Sequence, residues 1–247
     1  MIRLSASKIA TYLLCPRRYK FRYVARIRAT WKPSVLALGG AVHAALEIFH
    51  RQRVAGASMA PAAVGALFRI EWACELVDEI RFKDDEHPDD LAATGELLVK
   101  QYAAANQSLD VRAAEVPFEM EIARGITLRG VFDALLAGDR VRELKTAARA
   151  YDEGALSRHV QISAYALAYR TLFGLDAVIE VVALLKQRHP RIAVHEVTRT
   201  AEQQSWFVQL VVEVADAIVV GAFPPNPSWA CTGCEFAEPC RATGGAS

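Results

Sequence analysis

"ITLRGVFDALLAGDRVRELKTA", residues 126–147, decides how this chain folds. It holds two runs of β-forming residues joined by a short Gly–Asp turn, and with "EVPFEMEIA" just before it predicts three consecutive antiparallel strands. Glu143 and Lys145 are two apart on one strand and so share a face, while Asp133 lies on the preceding strand across the turn. A three-residue loop of Ala137, Gly138 and Asp139 sets Asp133 directly opposite Glu143. A two-residue turn would set it against Leu144, on the wrong face, so the odd-length turn is expected. Both acids sit among apolar neighbours, where an unpaired carboxylate is costly. Two carboxylates brought together repel unless a cation stands between them, and Mg²⁺ or Mn²⁺ accepts such oxygen ligands. A lysine beside them can hold an attacking water, a trio suited to phosphodiester hydrolysis.

Outward from this stretch the pattern is helical on the N-terminal side. "SASKIATYLL" reads as a short amphipathic helix capped by Ser5, and "GGAVHAALEIFHRQ" as a helix opening after the glycine pair. Further helices are expected near Leu67 to Ile80, where Cys74 reads as a small buried hydrophobe, and near Leu91 to Ala105. "KDDEHPDD" between them reads as a solvated loop, Glu115 as a solvated strand residue and His50 as a surface residue. After the three strands come a long helix ending at Gly174, two more strands and a final helix from "AEQQSWF" onward. The expected fold class is α/β. Gln161 and Tyr165 are i and i+4 on one helix face, placed to orient Lys145 and touch a phosphate.

The chain has 247 residues, 53% hydrophobic and 23% charged, enough to bury a full core; this excludes a disordered or fibrous protein. Its apolar runs are too short or too interrupted by acids to cross a bilayer, and no signal-peptide pattern opens it, so a cytoplasmic protein is expected. In a reducing compartment, clustered cysteines bind metal or do redox chemistry more often than they form disulfides. "CTGCEFAEPC" supplies Cys231, Cys234 and Cys240 in a C-x2-C-x5-C spacing. A closed zinc site or a cubane cluster needs a fourth ligand. Cys15, Cys74 and the six histidines are the candidates, and Cys15 stands out because it ends a helix and is followed by Pro16.

The net charge of +1 does not announce a nucleic-acid protein, but its distribution is uneven. From Met1 to Leu46 there is no acid. Arg17, Arg18, Lys20 and Arg22 are interleaved there with aromatics such as Tyr23. Cations that neutralise phosphates and rings that stack on bases make these five residues candidate contacts for single-stranded DNA.

With these residues on the page, the chain resembles the PD-(D/E)XK nucleases. Within them it is similar to the RecB-like exonucleases that carry an iron–sulfur staple, among them the AddB nuclease and the CRISPR-associated RecB-like nucleases. "LSASKIATYLLCPRRYKFRYV" resembles the family's first helix with its first cluster cysteine, Cys15, and "GGAVHAALE" its glycine-to-histidine motif, which puts His43 on the metal. "GVFDAL" supplies Asp133, "RELKT" supplies Glu143 and Lys145, "QISAY" resembles the Q-x3-Y motif, and "CTGCEFAEPC" the terminal cysteines. One departure is Glu143, where many RecB-like members have Asp.

The resemblance implies a restriction-endonuclease-like core, a mixed central sheet flanked by helices, with an N-terminal helical region and a clasp joining both termini. It implies one domain: a helical part at 1–110, a nuclease core at 111–222 and a cysteine-rich tail at 223–247. Asp133, Glu143, His43 and the Leu144 carbonyl would hold Mg²⁺ or Mn²⁺, Lys145 would position the water, and Gln161 and Tyr165 would support it. Cys15, Cys231, Cys234 and Cys240 would hold a 4Fe–4S cluster, zinc being the alternative. By analogy with a disulfide, closing so long a loop limits the unfolded state by about 4–5 kcal/mol. The implied activity is DNA exonuclease action on single-stranded ends in repair, recombination or phage DNA processing. A helicase or integrase partner is implied too. A CRISPR-adaptation nuclease trimming spacer precursors and a non-catalytic iron–sulfur DNA-binding subunit are the alternatives.

Overall fold

The computed structural model describes residues 1–243, so 244–247 of the expected tail lie outside the described residues. Along the chain run β1 (Ile2–Leu4), α1 (Ala6–Leu14), α2 (Pro16–Tyr19), a π-helical turn (Lys20–Val24), β2 (Lys32–Pro33), α3 (Ser34–Val54), α4 (Pro61–Glu75), β3 (Ile80–Arg81) and α5 (Pro88–Ala105). The three expected strands follow as β4 (Val111–Ala123), β5 (Ile126–Leu136) and β6 (Arg140–Ala147). After them come α6 (Glu153–Ser157), α7 (Val160–Phe173), β7 (Val178–Leu185), β8 (Arg191–Val197), α8 (Ala201–Val219) and α9 (Ala237–Ala242).

β5 and β6 pair antiparallel through Leu136–Arg140, Leu135–Val141 and Ala134–Arg142, which leaves a three-residue turn of Ala137, Gly138 and Asp139. Gly138 and Asp139 both take positive φ, 74° and 53°, the left-handed pair that lets the turn carry its odd residue. Continuing the register by one step puts Asp133 against Glu143, as the count required.

The other edge of β5 belongs to β4, while β1 and β6 share this one at opposite ends. Residues 129–133 of β5 pair with neither β1 nor β6. The acids therefore stand where the ladder opens. β7 lies parallel to β6, reached by the α6–α7 crossover, and β8 is antiparallel to β7. The result is a six-stranded mixed sheet.

Helices cover both faces of the sheet. One core gathers Ile9 of α1, Phe132 of β5, Tyr165 of α7 and Phe207 of α8; the other gathers Leu46, Phe68 and Tyr102 of α3, α4 and α5 over Leu144 and Val182. Each such fully buried side chain contributes about 1.5–3 kcal/mol of transfer free energy. Helix α3 lies close on the sheet at Gly39, where an added Cβ would stand 3.3 Å from the Thr146 hydroxyl. That approach brings His43, one turn further along α3, over the β5–β6 opening.

Several local expectations change. Helix α3 begins at Ser34, so the glycine pair lies inside it, and α4 runs from Pro61 to Glu75, earlier than its periodicity suggested because Pro61 sets its first turn. The long helix after β6 breaks at Arg158 and His159 into α6 and α7; α7 ends as expected on left-handed Gly174. His50 is fully buried and bonds the Tyr102 hydroxyl at 2.7 Å, while Cys74 is exposed. The acidic loop is solvated except at Glu86, which bridges Ser34 (2.5 Å) and Lys186 (2.8 Å).

Candidate active site

Asp133 and Glu143 are buried, at 8% and 1% exposure. The Leu144 amide donates to Asp133 Oδ2 at 2.8 Å, and the Tyr165 hydroxyl reaches its Oδ1 at 3.3 Å. Glu143 Oε2 accepts from Gln161 Nε2 at 2.9 Å; Oε1 accepts no well-directed hydrogen bond and is faced by the Lys145 ammonium as an ion pair. Lys145 Nζ in turn donates to Gln161 Oε1 at 2.9 Å. One amide thus holds both the acid and the lysine. The i, i+4 spacing on α7 brings the Tyr165 hydroxyl to 3.1 Å from Gln161 Nε2.

His43 Nδ1 stands 3.7 Å from Asp133 Oδ2. Leu144 serves the site through its main-chain amide.

The electrostatics follow from burial and crowding. Burial first, then the Asp133 charge, pushes Glu143 up to about 7. Burial pushes Asp133 up to about 6 against the Leu144 amide and Lys145, with Glu115 adding to the rise. Burial lowers His43, so its ring is neutral and offers a lone pair. Burial opposes the Lys145 charge, but Glu143 and Asp133 outweigh it and leave its pKa above the ordinary value. Tyr165 is held protonated by burial and by both carboxylates.

Among the described residues no three His, Cys, Asp or Glu side chains converge tightly enough to grip one ion. At the acid pair the nearest cation is Lys145, seated on Glu143. The donor set nevertheless suits a hard divalent cation: two crowded carboxylates, a neutral imidazole and a main-chain group.

Glu115 was read as a solvated residue, and the structure corrects this. Pairs Ala114–Ala134 and Val116–Phe132 bracket it opposite Asp133. It is half-buried, has a φ of 52°, and burial and Glu47 push its pKa up. Counting from the turn alone sets Glu115 against Ala134; a register shift between Glu121 and Ala123 brings it to Asp133.

Cys15, Cys231, Cys234 and Cys240 line one cavity of about 510 Å³, with Arg17, Arg18, Arg81 and Arg241 and no acid on its wall. All four thiols are free, and burial pushes Cys234 up. The expected DNA contacts are largely engaged elsewhere. Arg18 and Arg22 both pair with the buried Glu235 carboxylate; Arg17 bonds Phe223 O (3.2 Å) and Thr243 Oγ1 (3.1 Å). Tyr23 packs on Tyr19 at 5.0 Å, with Lys8 over its ring, and of the five only Lys20 is exposed. These residues join the N-terminal helices to the tail, because an acid on the tail offers them a desolvated counter-charge.

No helix among the described residues is long and apolar enough to cross a membrane. No curated protein matches the chain in sequence. A solved structure of a candidate exonuclease from Eubacterium rectale superposes with a TM-score of 0.59 at 14% identity, covering 97% of this chain and 87% of that one. The protein SSO0001 superposes more distantly, at 0.47 and 18% identity over 97% of this chain and 86% of that one. The sequence profile of the PD-(D/E)XK nuclease superfamily matches residues 3–241, nearly the whole length over which the acids, the lysine and the cysteines are distributed, and the chain belongs to that superfamily.

Proposed function

We propose that this nuclease is a Mg²⁺- or Mn²⁺-dependent deoxyribonuclease of the RecB-like type that degrades DNA from single-stranded ends. The observation that carries the reading is the Gln161 amide, which fixes Lys145 beside Glu143 while the Leu144 amide fixes Asp133. Such a preset arrangement favours charge developing on a phosphate, because nothing has to reorganise when the reaction occurs. The preference for single-stranded ends rests on the RecB-like motif set rather than on the N-terminal arginines.

Asp133, Glu143, His43 and the Leu144 main chain would hold the divalent ion. That ion, when bound, supplies positive charge against the phosphate and acidifies the attacking water. Lys145 orients the water through its ammonium, which Gln161 holds in place against Glu143. Tyr165 remains a donor, its hydroxyl 2.5 Å from Val131 O and 3.3 Å from Asp133 Oδ1.

At the other end of the molecule Cys15, Cys231, Cys234 and Cys240 would hold a 4Fe–4S cluster. What supports a cluster over zinc is the RecB-like motif set of the rest of the chain; the four thiols line one cavity.

The test is cleavage of end-labelled single- and double-stranded DNA by anaerobically purified protein with Mg²⁺, Mn²⁺ or EDTA. Metal-dependent shortening of single-stranded ends, absent in Lys145→Ala, is the expected result. An inactive, cluster-loaded wild type on every DNA substrate would overturn it.

A further inference from the structure

The segment between β6 and α7 contains two aromatic side chains that none of the motifs above uses. It is anchored at both ends: Gln187 Nε2 donates to Ala148 O at 3.1 Å, and Asp152 caps α6 by accepting from the Ala155 amide at 2.6 Å. Between these anchors sits Tyr151. Its ring is half-buried against the core that contains Tyr165, and it meets the His159 ring edge-to-face at 6.0 Å and 83°. His159 is the residue before α7, two positions from Gln161, and its Nδ1 is buried without a partner.

Behind this corner lies Arg199. It is 5% exposed and bonds Leu156 O at 2.6 Å and Ser163 Oγ at 3.0 Å, tying the end of α6 to the first turns of α7. The corner that carries His159 and Gln161 is therefore fixed from below.

The Tyr151 hydroxyl makes no hydrogen bond among the described residues, yet it is not a buried orphan: its oxygen stays open to solvent. It is close enough to the active centre for the Lys145 and Glu143 charges to act on it. Burial pushes its pKa up, so at neutral pH it is a donor. A phenol whose ring is held and whose hydroxyl is free awaits an external acceptor, and the acceptor that a nuclease brings there is anionic.

We propose that Tyr151 contacts substrate directly, its hydroxyl donating to a non-bridging oxygen of the scissile phosphodiester, with His159 as the positioning residue that sets the phenol. This role rests on the nuclease reading above.

The test compares wild type with Tyr151→Phe, which keeps the ring packing. Single-turnover cleavage is measured on single-stranded DNA carrying either an ordinary scissile phosphate or one of the two phosphorothioate diastereomers. On the oxygen substrate Tyr151→Phe should be slower by about tenfold, the value of one hydrogen bond to a charged group. On the diastereomer whose sulfur replaces the contacted oxygen, the penalty should fall below about twofold, because the contact is already lost. His159→Leu should lower the oxygen-substrate rate in the same way, and the double variant should be no slower than Tyr151→Phe alone. An equal penalty on the oxygen substrate and both sulfur substrates, or no penalty at all, overturns the role while leaving the nuclease reading intact. A wild type inactive on all three overturns the nuclease reading and this role with it.

Discussion

Gln161 accepts from the Lys145 ammonium at 2.9 Å and, through the other end of the same amide, donates to Glu143 at the same distance. Either bond alone would fix only one of the two charged groups. Together they lock the ion pair between Lys145 and Glu143 in one geometry.

Replacing Gln161 by Leu should therefore slow cleavage about 10–100-fold, the range expected for losing hydrogen bonds to charged partners. The fold should survive, since α7 is held by Ile162, Ala166 and Tyr169 on its buried face. Single-turnover rates with a melting curve on the same samples check this. A Gln161→Leu enzyme within twofold of wild type would show that Lys145 needs no second partner.

Lys145→Met should cost about 10²–10⁴-fold in rate, the usual span for a group that handles a proton or a nucleophile. Divalent-ion binding should persist or tighten, because the competing ammonium is gone from Glu143. Mn²⁺ titration by calorimetry separates the two effects. Loss of binding would place Lys145 in cation retention rather than in chemistry.

Asp133 and Glu143 make metal-free stability depend on pH, and the direction follows from their raised pKa values. Pushed up to about 6 and about 7, they keep protons in the folded state that the unfolded chain has already released. Their contribution is fully present below the ordinary carboxylate range near pH 4 and is lost as pH rises through about 7. In EDTA at pH 8, Asp133→Asn should therefore melt higher than wild type. Added Mn²⁺ should raise the wild-type melting temperature and leave the variant's nearly unchanged. A wild type indifferent to Mn²⁺ at that pH would argue against a cation at this pair.

The tail depends on a buried acid as well as on thiols. Glu235 has a side chain 1% exposed between Arg18 and Arg22, at 18% and 32%. Glu235→Gln leaves both guanidinium groups without a counter-charge and should cost about 1–3 kcal/mol, with hydrogen exchange rising first in the tail. Cys15→Ser should instead abolish bound iron and acid-labile sulfide while the tail keeps much of its protection. Zinc in place of iron in anaerobic wild type would overturn the cluster assignment.

How much of this was legible in the sequence depended on whether one element sufficed to read it. The β5–β6 register needed only a turn of known length, and Ser5 and Gly174 announced helix ends by chemistry that acts within one turn. His50 was misread because its burial comes from Tyr102, on a helix 52 residues away. Arg18 and Arg22 looked free for phosphates because their acid lies more than two hundred residues downstream. Charge patterns show where cations are but not which anion folding will bring to them. Glu115 escaped for a different reason: the register shift between Glu121 and Ala123 moves its partner by one residue from the count that the turn suggests.

The turn itself offers the sharpest test of the architecture. Ala137, Gly138 and Asp139 separate the pair Leu136–Arg140, and Asp139 also accepts from the Tyr169 hydroxyl at 2.9 Å. Deleting Leu135 keeps the turn but removes one step between it and Asp133, so the register moves by one and sets Asp133 against Arg142 with its carboxylate on the opposite face. Cleavage should disappear even where circular dichroism shows the sheet retained. Gly138→Val probes the same turn without changing its length: a β-branched residue at a φ of 74° should cost about 1–2 kcal/mol yet leave the rate of the folded enzyme intact. Should the deletion keep activity, the β5–β6 pairing must be able to slip without separating the two acids, and the three-residue turn would not be what sets the site.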